Sequence, residues 1–237
     1  MYGWRARIGM LLPSAGLLEP EVLKLLPTGV TLHTTRLRMR MATYEELARL
    51  ADAVEEAASL LADAHVDIIT FNCTLGSLIK GPGYDVEIIE RIKSATGIQA
   101  TTTTTAVAQA LPTLGIRKLV LVSPYLDKMN AIEIAFLEAQ GFTVLESRGL
   151  QLDDPYQQVS IEPQQWYRAV KEMQTPAADG YFISCSGIRV VDVIEHLEAD
   201  LAKPVLTSNQ ALVWHALKTV GVRESIQGFG RLLRDCL

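Results

Sequence analysis

Two short stretches decide the fold: "FNCTLGS" at residues 71–77 and "FISCSGI" at residues 182–188. Each sets a cysteine between an apolar run and a small, polar turn, in a chain that has only 3 cysteines. The runs that lead into them, "VDIITFN" (66–72) and "GYFISC" (180–185), read as strands. Further strands read outward from these: "RIGMLLP" (7–13), "VTLHTTRLRM" (30–39), "IQATT" (98–102), "KLVLVSP" (118–124), "TVLESRGL" (143–150) and "PVLTS" (204–208). Between them lie helical patterns. From Tyr44 to Ala64 the apolar positions Leu47, Leu50, Ala51, Val54, Ala58 and Leu61 fall at helical spacing, and Thr43 with Glu46 predicts a capping box. Residues 84–96 form a second helix that Gly97 ends, and others are predicted through Phe136 and over 163–173, 189–200 and 209–219. Strands that alternate with helices predict an α/β fold of parallel sheets covered by helices.

The second half of the pattern repeats the first. Pro13 and Pro124, which end two matching strands, stand 111 residues apart, and Cys73 and Cys185 stand 112 apart. "IQATTTTTAVAQAL" (98–111) matches "PVLTSNQALVWHAL" (204–217) at an offset of 106. This internal duplication predicts two similar Rossmann-like lobes related by a pseudo-twofold axis, with the active site in the cleft between them. The lobes are expected at residues 1–116 plus 212–237 and at 117–211. No Pro/Gly/Ser-rich linker separates them, so close packing is expected.

Bulk properties narrow the function. The chain has 237 residues, 49% of them hydrophobic, and a formal charge of −5 from 22 basic and 27 acidic side chains. No basic cluster argues for nucleic acid. No apolar run approaches the ~20 residues that span a bilayer. "MYGWRARIGMLLP" lacks the apolar core of a signal peptide, so a cytoplasmic location is expected. Cys73, Cys185 and Cys236 form an odd set without CxxC spacing, and the four histidines are scattered. HExxH, GxGxxG and GxxxxGK[ST] are missing. Neither a metal nor a cofactor therefore has positive support.

Ligands of open α/β sheets bind beyond the C-terminal ends of the strands, where both cysteines lie. Each following turn offers backbone N–H groups and a helix N-terminus, which suit carboxylates and are expected to lower a thiol's pKa. Two thiols facing each other across a cleft can act on one carbon from both sides, one taking a proton while the other gives one.

These residues resemble a known family. "IGMLLPSAG", "NCTLGSLIKG", "ATGIQATTTTTAV", "LGIRKLVLVSPYLDKMN", "DGYFISCSGI" and "GFGRLL" follow one another in an order and spacing similar to the aspartate/glutamate racemase superfamily. Within it they are similar to the branch of arylmalonate decarboxylases and maleate cis–trans isomerases. The resemblance runs over nearly the whole chain. It implies a cofactor-independent, metal-free enzyme acting on a small carboxylate or dicarboxylate. It matches Cys73 to the first-lobe thiol of racemases and isomerases, where decarboxylases have glycine. Cys185 matches the second-lobe thiol shared by all three activities. Thr74 and Leu75 match a turn that holds a carboxylate or enediolate, with Leu75 in place of a common serine. Tyr125 matches a tyrosine that hydrogen-bonds the same group, and Ser186 and Gly187 match the second turn. Two loops depart from maleate isomerases. Pro13, Ser14, Ala15 and Gly16 stand where PSSN is common, and Asp154-Pro155 where Asp-Asn is common. The isomerase thiols thus sit in a frame closer to the decarboxylases, and the substrate stays open.

Other candidates carry weaker readings. Ser14 is a candidate substrate contact or a turn residue. Thr101–Thr105 fits a strand end as well as a binding run. Arg36, Arg38 and Arg40 most simply form a solvated face, and Cys236 is expected to be inert at a loosely ordered end. The sequence ranks a two-thiol isomerase or racemase first. A decarboxylase with Cys185 as proton donor comes second, and a two-lobed binding protein third. Assembly into a homo-oligomer stays open.

Overall fold

The computed structural model describes residues 2–237. The first sheet is built from β1 (Ala6–Pro13), α1 (Glu19–Lys24), β2 (Val30–Leu37), α2 (Tyr44–Arg49), α3 (Val54–Asp63), β3 (Ile68–Phe71), α4 (Thr74–Leu78), α5 (Tyr84–Thr96), β4 (Ala100–Thr102) and α6 (Thr103–Thr113). The second follows with β5 (Lys118–Ser123), α7 (Asp127–Ala139), β6 (Thr143–Gly149), α8 (Pro155–Ser160), α9 (Pro163–Glu172), β7 (Gly180–Ile183), α10 (Ile194–Leu201), β8 (Val205–Thr207) and α11 (Ser208–Thr219), then α12 (Arg231–Asp235). Each sheet has four parallel strands, in the orders β2-β1-β3-β4 and β6-β5-β7-β8. The expected two-sheet α/β architecture is therefore present. Central strands β3, β5 and β7 are apolar and almost wholly buried, whereas edge strands β2 and β6 mix half-buried and exposed positions. Helices on both faces of a parallel sheet produce that contrast.

Register places the cysteines equivalently. Leu11 of β1 pairs with Phe71, and Val122 of β5 pairs with Ile183; each cysteine lies two residues beyond its paired strand residue. The offsets of 111 and 112 thus hold in three dimensions. The third offset does not. Phe71 pairs with Thr102 and Ile183 with Thr207, which stand 105 residues apart, one fewer than the sequence alignment implies. Thr102 and Thr207 each end a strand and cap the next helix, accepting from Thr105 N and Gln210 N. Capping, not side-chain similarity, fixes this match.

Two expected helices are subdivided. The 44–64 pattern breaks at a 3-10 turn, Leu50–Ala53. The break turns Leu47 toward the cleft while Val54, Ala58 and Leu61 are buried on α3, which packs over β1 and β2. Thr43 caps α2 as expected, but Glu46 reaches back to Arg40 N and Met41 N, so it fastens the preceding loop. The 189–200 pattern opens with a 3-10 turn, Val191–Val193, before α10.

The two sheets meet across α6 and α11, which pack on each other; α11 also touches β3 and β4 of the first sheet. Ser208 to Trp214 are all buried, as a helix wedged between layers requires. Polar bonds stitch this seam. Asn72 Nδ2 donates to Asn209 Oδ1 at 3.2 Å, and Asn209 Nδ2 donates to Ser186 O at 2.9 Å. Thr74 Oγ1 donates to Ser208 Oγ at 2.9 Å and lies 3.3 Å from Ser186 Oγ. At the rim, Glu21 of α1 accepts from Val190 N and Val191 N, and Lys24 pairs with Asp192. Asn209→Ala orphans the buried Ser186 carbonyl and leaves Asn72 Nδ2 only the Met10 sulfur. It should destabilise the protein by about 1–3 kcal/mol per orphaned group, read as a lower urea midpoint at unchanged slope.

Candidate active site

The cleft between the sheets closes over a cavity of about 40 Å³, room for about three waters. Cys73 and Cys185 both line it, one from each sheet, and they are 8% and 7% exposed. Cys73 caps α4 in extended backbone geometry, φ −154°, with Sγ accepting from Gly76 N at 3.4 Å. Gly76 is required there by close approach: a Cβ would lie 2.9 Å from Cys73 Sγ and from Leu50 Cδ2. Cys185 is held differently. Its φ is +111°, a left-handed value that costs a non-glycine residue about 1–3 kcal/mol and clusters at functional sites. Its N–H donates to Ser208 Oγ at 3.1 Å and its Sγ accepts from Gly187 N at 3.3 Å, while Tyr125 lines the same cavity. The thiol faces Gln158 Oε1 at 3.8 Å.

The expected low-pKa thiols are not what this geometry produces. Burial pushes both Cys73 and Cys185 up to about 12, and the single amide on each sulfur opposes this only in part. A helix N-terminus lowers a thiol's pKa when water also reaches it; in a closed apolar cleft, desolvation of the anion wins. Tyr125 is likewise raised well above its ordinary value by burial and by the neighbouring Cys185. Behind Cys185, Glu133 on α7 accepts from Ser184 Oγ at 2.5 Å, and burial raises it to about 7.

The structure gathers Thr74, Leu75, Tyr125, Ser186 and Gly187 around the two sulfurs, all lining the cavity. Ser14 stands apart. Its hydroxyl donates to Met39 O at 2.9 Å and accepts from Met39 N at 3.1 Å, and it does not line the cavity. The threonine run serves packing: Thr101 and Thr102 end β4, Thr103 opens α6, and Thr103 Oγ1 donates to Asn72 Oδ1 at 3.1 Å. Cys236 is half-buried in a tail tied down by the bond from Trp214 Nε1 to Cys236 O. Arg36 is engaged by Ser14 O, Gly16 O and Glu19.

Sequence reasoning missed Asn72, Gln158, Ser208 and Asn209. Asn72 directly precedes a cysteine and was legible as a strand-end residue. Ser208 and Asn209 were obscured by the one-residue slip in the third repeat. Gln158 sits in the six-residue α8, too short for any periodicity to announce. Opposite the polar groups, Leu18, Met39, Ala42, Leu47 and Pro155 form an apolar wall, and no charged side chain lines the cavity. Among the described residues no group of three or more His, Cys, Asp or Glu is placed to hold a metal ion, and no helix is long and apolar enough to cross a membrane.

Paired parallel sheets whose strand ends each deliver a buried thiol to one closed cleft define a two-lobed α/β enzyme of the cysteine type. The chain belongs to the arylmalonate decarboxylase family, whose model matches residues 8–233. Maleate isomerase of Geobacillus stearothermophilus is 26% identical over 242 residues, covering 96% of each chain. Arylmalonate decarboxylase of Bordetella bronchiseptica is 27% identical over 232 residues, again covering 96% of each. The solved maleate isomerase of Pseudomonas putida matches at a TM-score of 0.94 and 25% identity over 98% of this chain and 99% of that one; a cysteine-to-alanine variant of it was solved with maleate.

Burial predicts sluggish thiols. With the pKa moved from 9 to about 12, the thiolate fraction at pH 8 falls roughly 10³-fold. Iodoacetamide should therefore alkylate Cys73 and Cys185 far more slowly than a free cysteine, with a rate that rises about tenfold per pH unit through pH 10. Peptide-resolved mass spectrometry measures this, and rapid labelling at pH 7 would contradict it.

Proposed function

We propose that the protein is a cofactor-independent isomerase or racemase of a small carboxylate, with Cys73 and Cys185 acting on opposite faces of one bound carbon. The observation that carries this is one small cavity lined by a thiol from each sheet. The presence of a cysteine at position 73 supports isomerisation over decarboxylation, and so does the likeness to proteins named maleate isomerase.

The polar half of the cavity supports carboxylate binding. Thr74 and Leu75 open α4, and the first amides of a helix have no intrahelical acceptor. With the Tyr125 hydroxyl they form a set of neutral donors for a carboxylate whose charge grows as an enediolate, while the Thr74 hydroxyl is engaged by Ser208. Ser186 and Gly187 line the opposite turn, and Asn72 and Gln158 add further polar groups. Ser14, engaged by Met39, holds the loop that carries the apolar wall rather than the substrate.

No cation lines the cavity, so the reacting form of Cys73 is the small thiolate fraction that burial leaves. With a maleate-like alkene, the Cys73 sulfur adds to one alkene carbon and the π pair moves toward the adjacent carboxylate. Cys185 protonates the other carbon, and the former double bond rotates as a single bond. Loss of that proton to Cys185 and expulsion of Cys73 give the trans acid. With a chiral acid, one thiolate removes the α-proton and the other thiol returns one to the opposite face.

The apolar wall supports a second reading. Leu18, Met39, Ala42, Leu47 and Pro155 would house the large substituent of a disubstituted malonate and destabilise the carboxylate pressed against them. Cys185 alone would then protonate the enediolate.

Cys73→Ser and Cys185→Ser should each lower isomerase or racemase turnover by roughly 10²-fold or more, with a smaller change in KM, since serine keeps the shape but not the acidity. Turnover in D₂O across maleate, aspartate, glutamate and arylmalonates identifies the substrate. Efficient carbon dioxide release by the wild type that survives Cys73→Gly but not Cys185→Ser would reverse the ranking.

A further inference from the structure

A carboxyl that the reaction above does not use lies behind the second thiol. Glu133 is 1% exposed on the inner side of α7. One oxygen accepts from Ser184 Oγ at 2.5 Å; the other, Oε2, is enclosed with no hydrogen-bond partner. A half-satisfied buried carboxyl is costly, and an aliphatic side chain would fill the same space without that cost.

Its partner directly precedes Cys185, whose backbone is strained at φ +111°. Two bonds hold that strained step, from Ser184 Oγ to Glu133 on one side and from Cys185 N to Ser208 Oγ on the other. The first repeat has no such device. Cys73 is preceded by Asn72, a neutral amide bonded to Thr103 and Asn209, and its own φ of −154° is ordinary extended backbone. The second loop thus carries a buried acid that the first lacks.

We propose that Glu133 is the positioning residue of Cys185: it pins Ser184 so that the strained loop aims the second thiol into the cleft, and its charge, as it forms, adds to the burial that disfavours the thiolate. This inference rests on the two-thiol reaction proposed above. Among the described residues, the titratable groups that act with this carboxyl are Tyr125 beyond β5 and Cys185 beyond β7, both acids. α4, packed against α7, has no titratable side chain. On β6, Glu146 is exposed and Arg148 pairs with Glu172. On α7, the positions one turn away, Met129, Asn130, Phe136 and Leu137, are uncharged. No cation therefore neutralises Glu133. Burial raises it to about 7, so it gains its charge as pH rises through neutrality, and that charge makes Cys185 harder to ionise.

The test is peptide-resolved iodoacetamide labelling of the full chain from pH 6 to pH 10, without substrate. Glu133→Gln keeps the shape and removes the charge. It should speed Cys185 labelling by about threefold or more above pH 8, half a pKa unit, with the curves converging at pH 6 and Cys73 unchanged. Ser184→Ala strips the carboxylate of its only donor, drives it toward the neutral form and should move Cys185 the same way. If Glu133→Gln fails to fold by circular dichroism, Ser184→Ala decides alone. Curves that superimpose on the wild type, or an acceleration equal at pH 6 and pH 9 or shared by Cys73, would overturn the proposal. Because no substrate enters the readout, failure here is distinct from failure of the isomerase reading.

Discussion

One buried side chain ties the two cysteine loops together. Asn209, at the start of α11, accepts from Asn72, which precedes Cys73, and donates to the carbonyl of Ser186, which follows Cys185. Its neighbour Ser208 accepts from Thr74 Oγ1 and from Cys185 N. Two adjacent residues thus set the spacing between loops that belong to different sheets. Exposed hydrogen bonds would not serve, because water competes for each partner. Within the seam the alternative to each bond is an unpaired group in a low-dielectric interior, so the arrangement has one satisfied state. The cavity keeps its size because these bonds fix its walls.

Burial has a chemical consequence. A closed, largely apolar cleft strengthens every dipole aimed at a developing enediolate and disfavours the thiolates that would start the reaction. Burial raises both sulfurs to about 12. The same enclosure that makes a neutral donor such as Tyr125 effective also keeps the reactive thiolate scarce. Leu18, Met39 and Ala42 come from loops at the cavity, and Pro155 opens α8. The N–H groups of Val190 and Val191 hold α1 across the cleft through Glu21.

The two halves are copies in backbone but not in chemistry. Register, strand order and helix capping repeat closely, whereas the residues around the thiols have diverged. Cys73 caps a helix in relaxed geometry beside a neutral asparagine; Cys185 sits on a strained turn with Glu133 behind it. A pseudo-symmetric fold offers two equivalent positions, and backbone geometry and buried neighbours make them inequivalent.

Sequence by itself determined the fold class, the duplication and the two cysteines. Strand periodicity, Gly and Pro punctuation and strand-end placement are local, and a repeat doubles each local signal. The candidates Thr74, Leu75, Tyr125, Ser186 and Gly187 were legible because they adjoin the cysteines or end a matching strand. The resemblance to a family carried their roles. Tertiary structure alone decided the rest. The one-residue correction to the third repeat depends on strand register, which a threonine-rich segment does not encode by side-chain pattern. Ser14 was redirected to Met39 by a loop that packs 25 residues further along the chain. Gln158, Asn209 and Glu133 reach the site from three separate elements, and no sequence spacing relates them to the cysteines. The thiol pKa values reversed the expectation for the same reason. A helix N-terminus is written in a few adjacent residues, but desolvation is set by everything that closes around them.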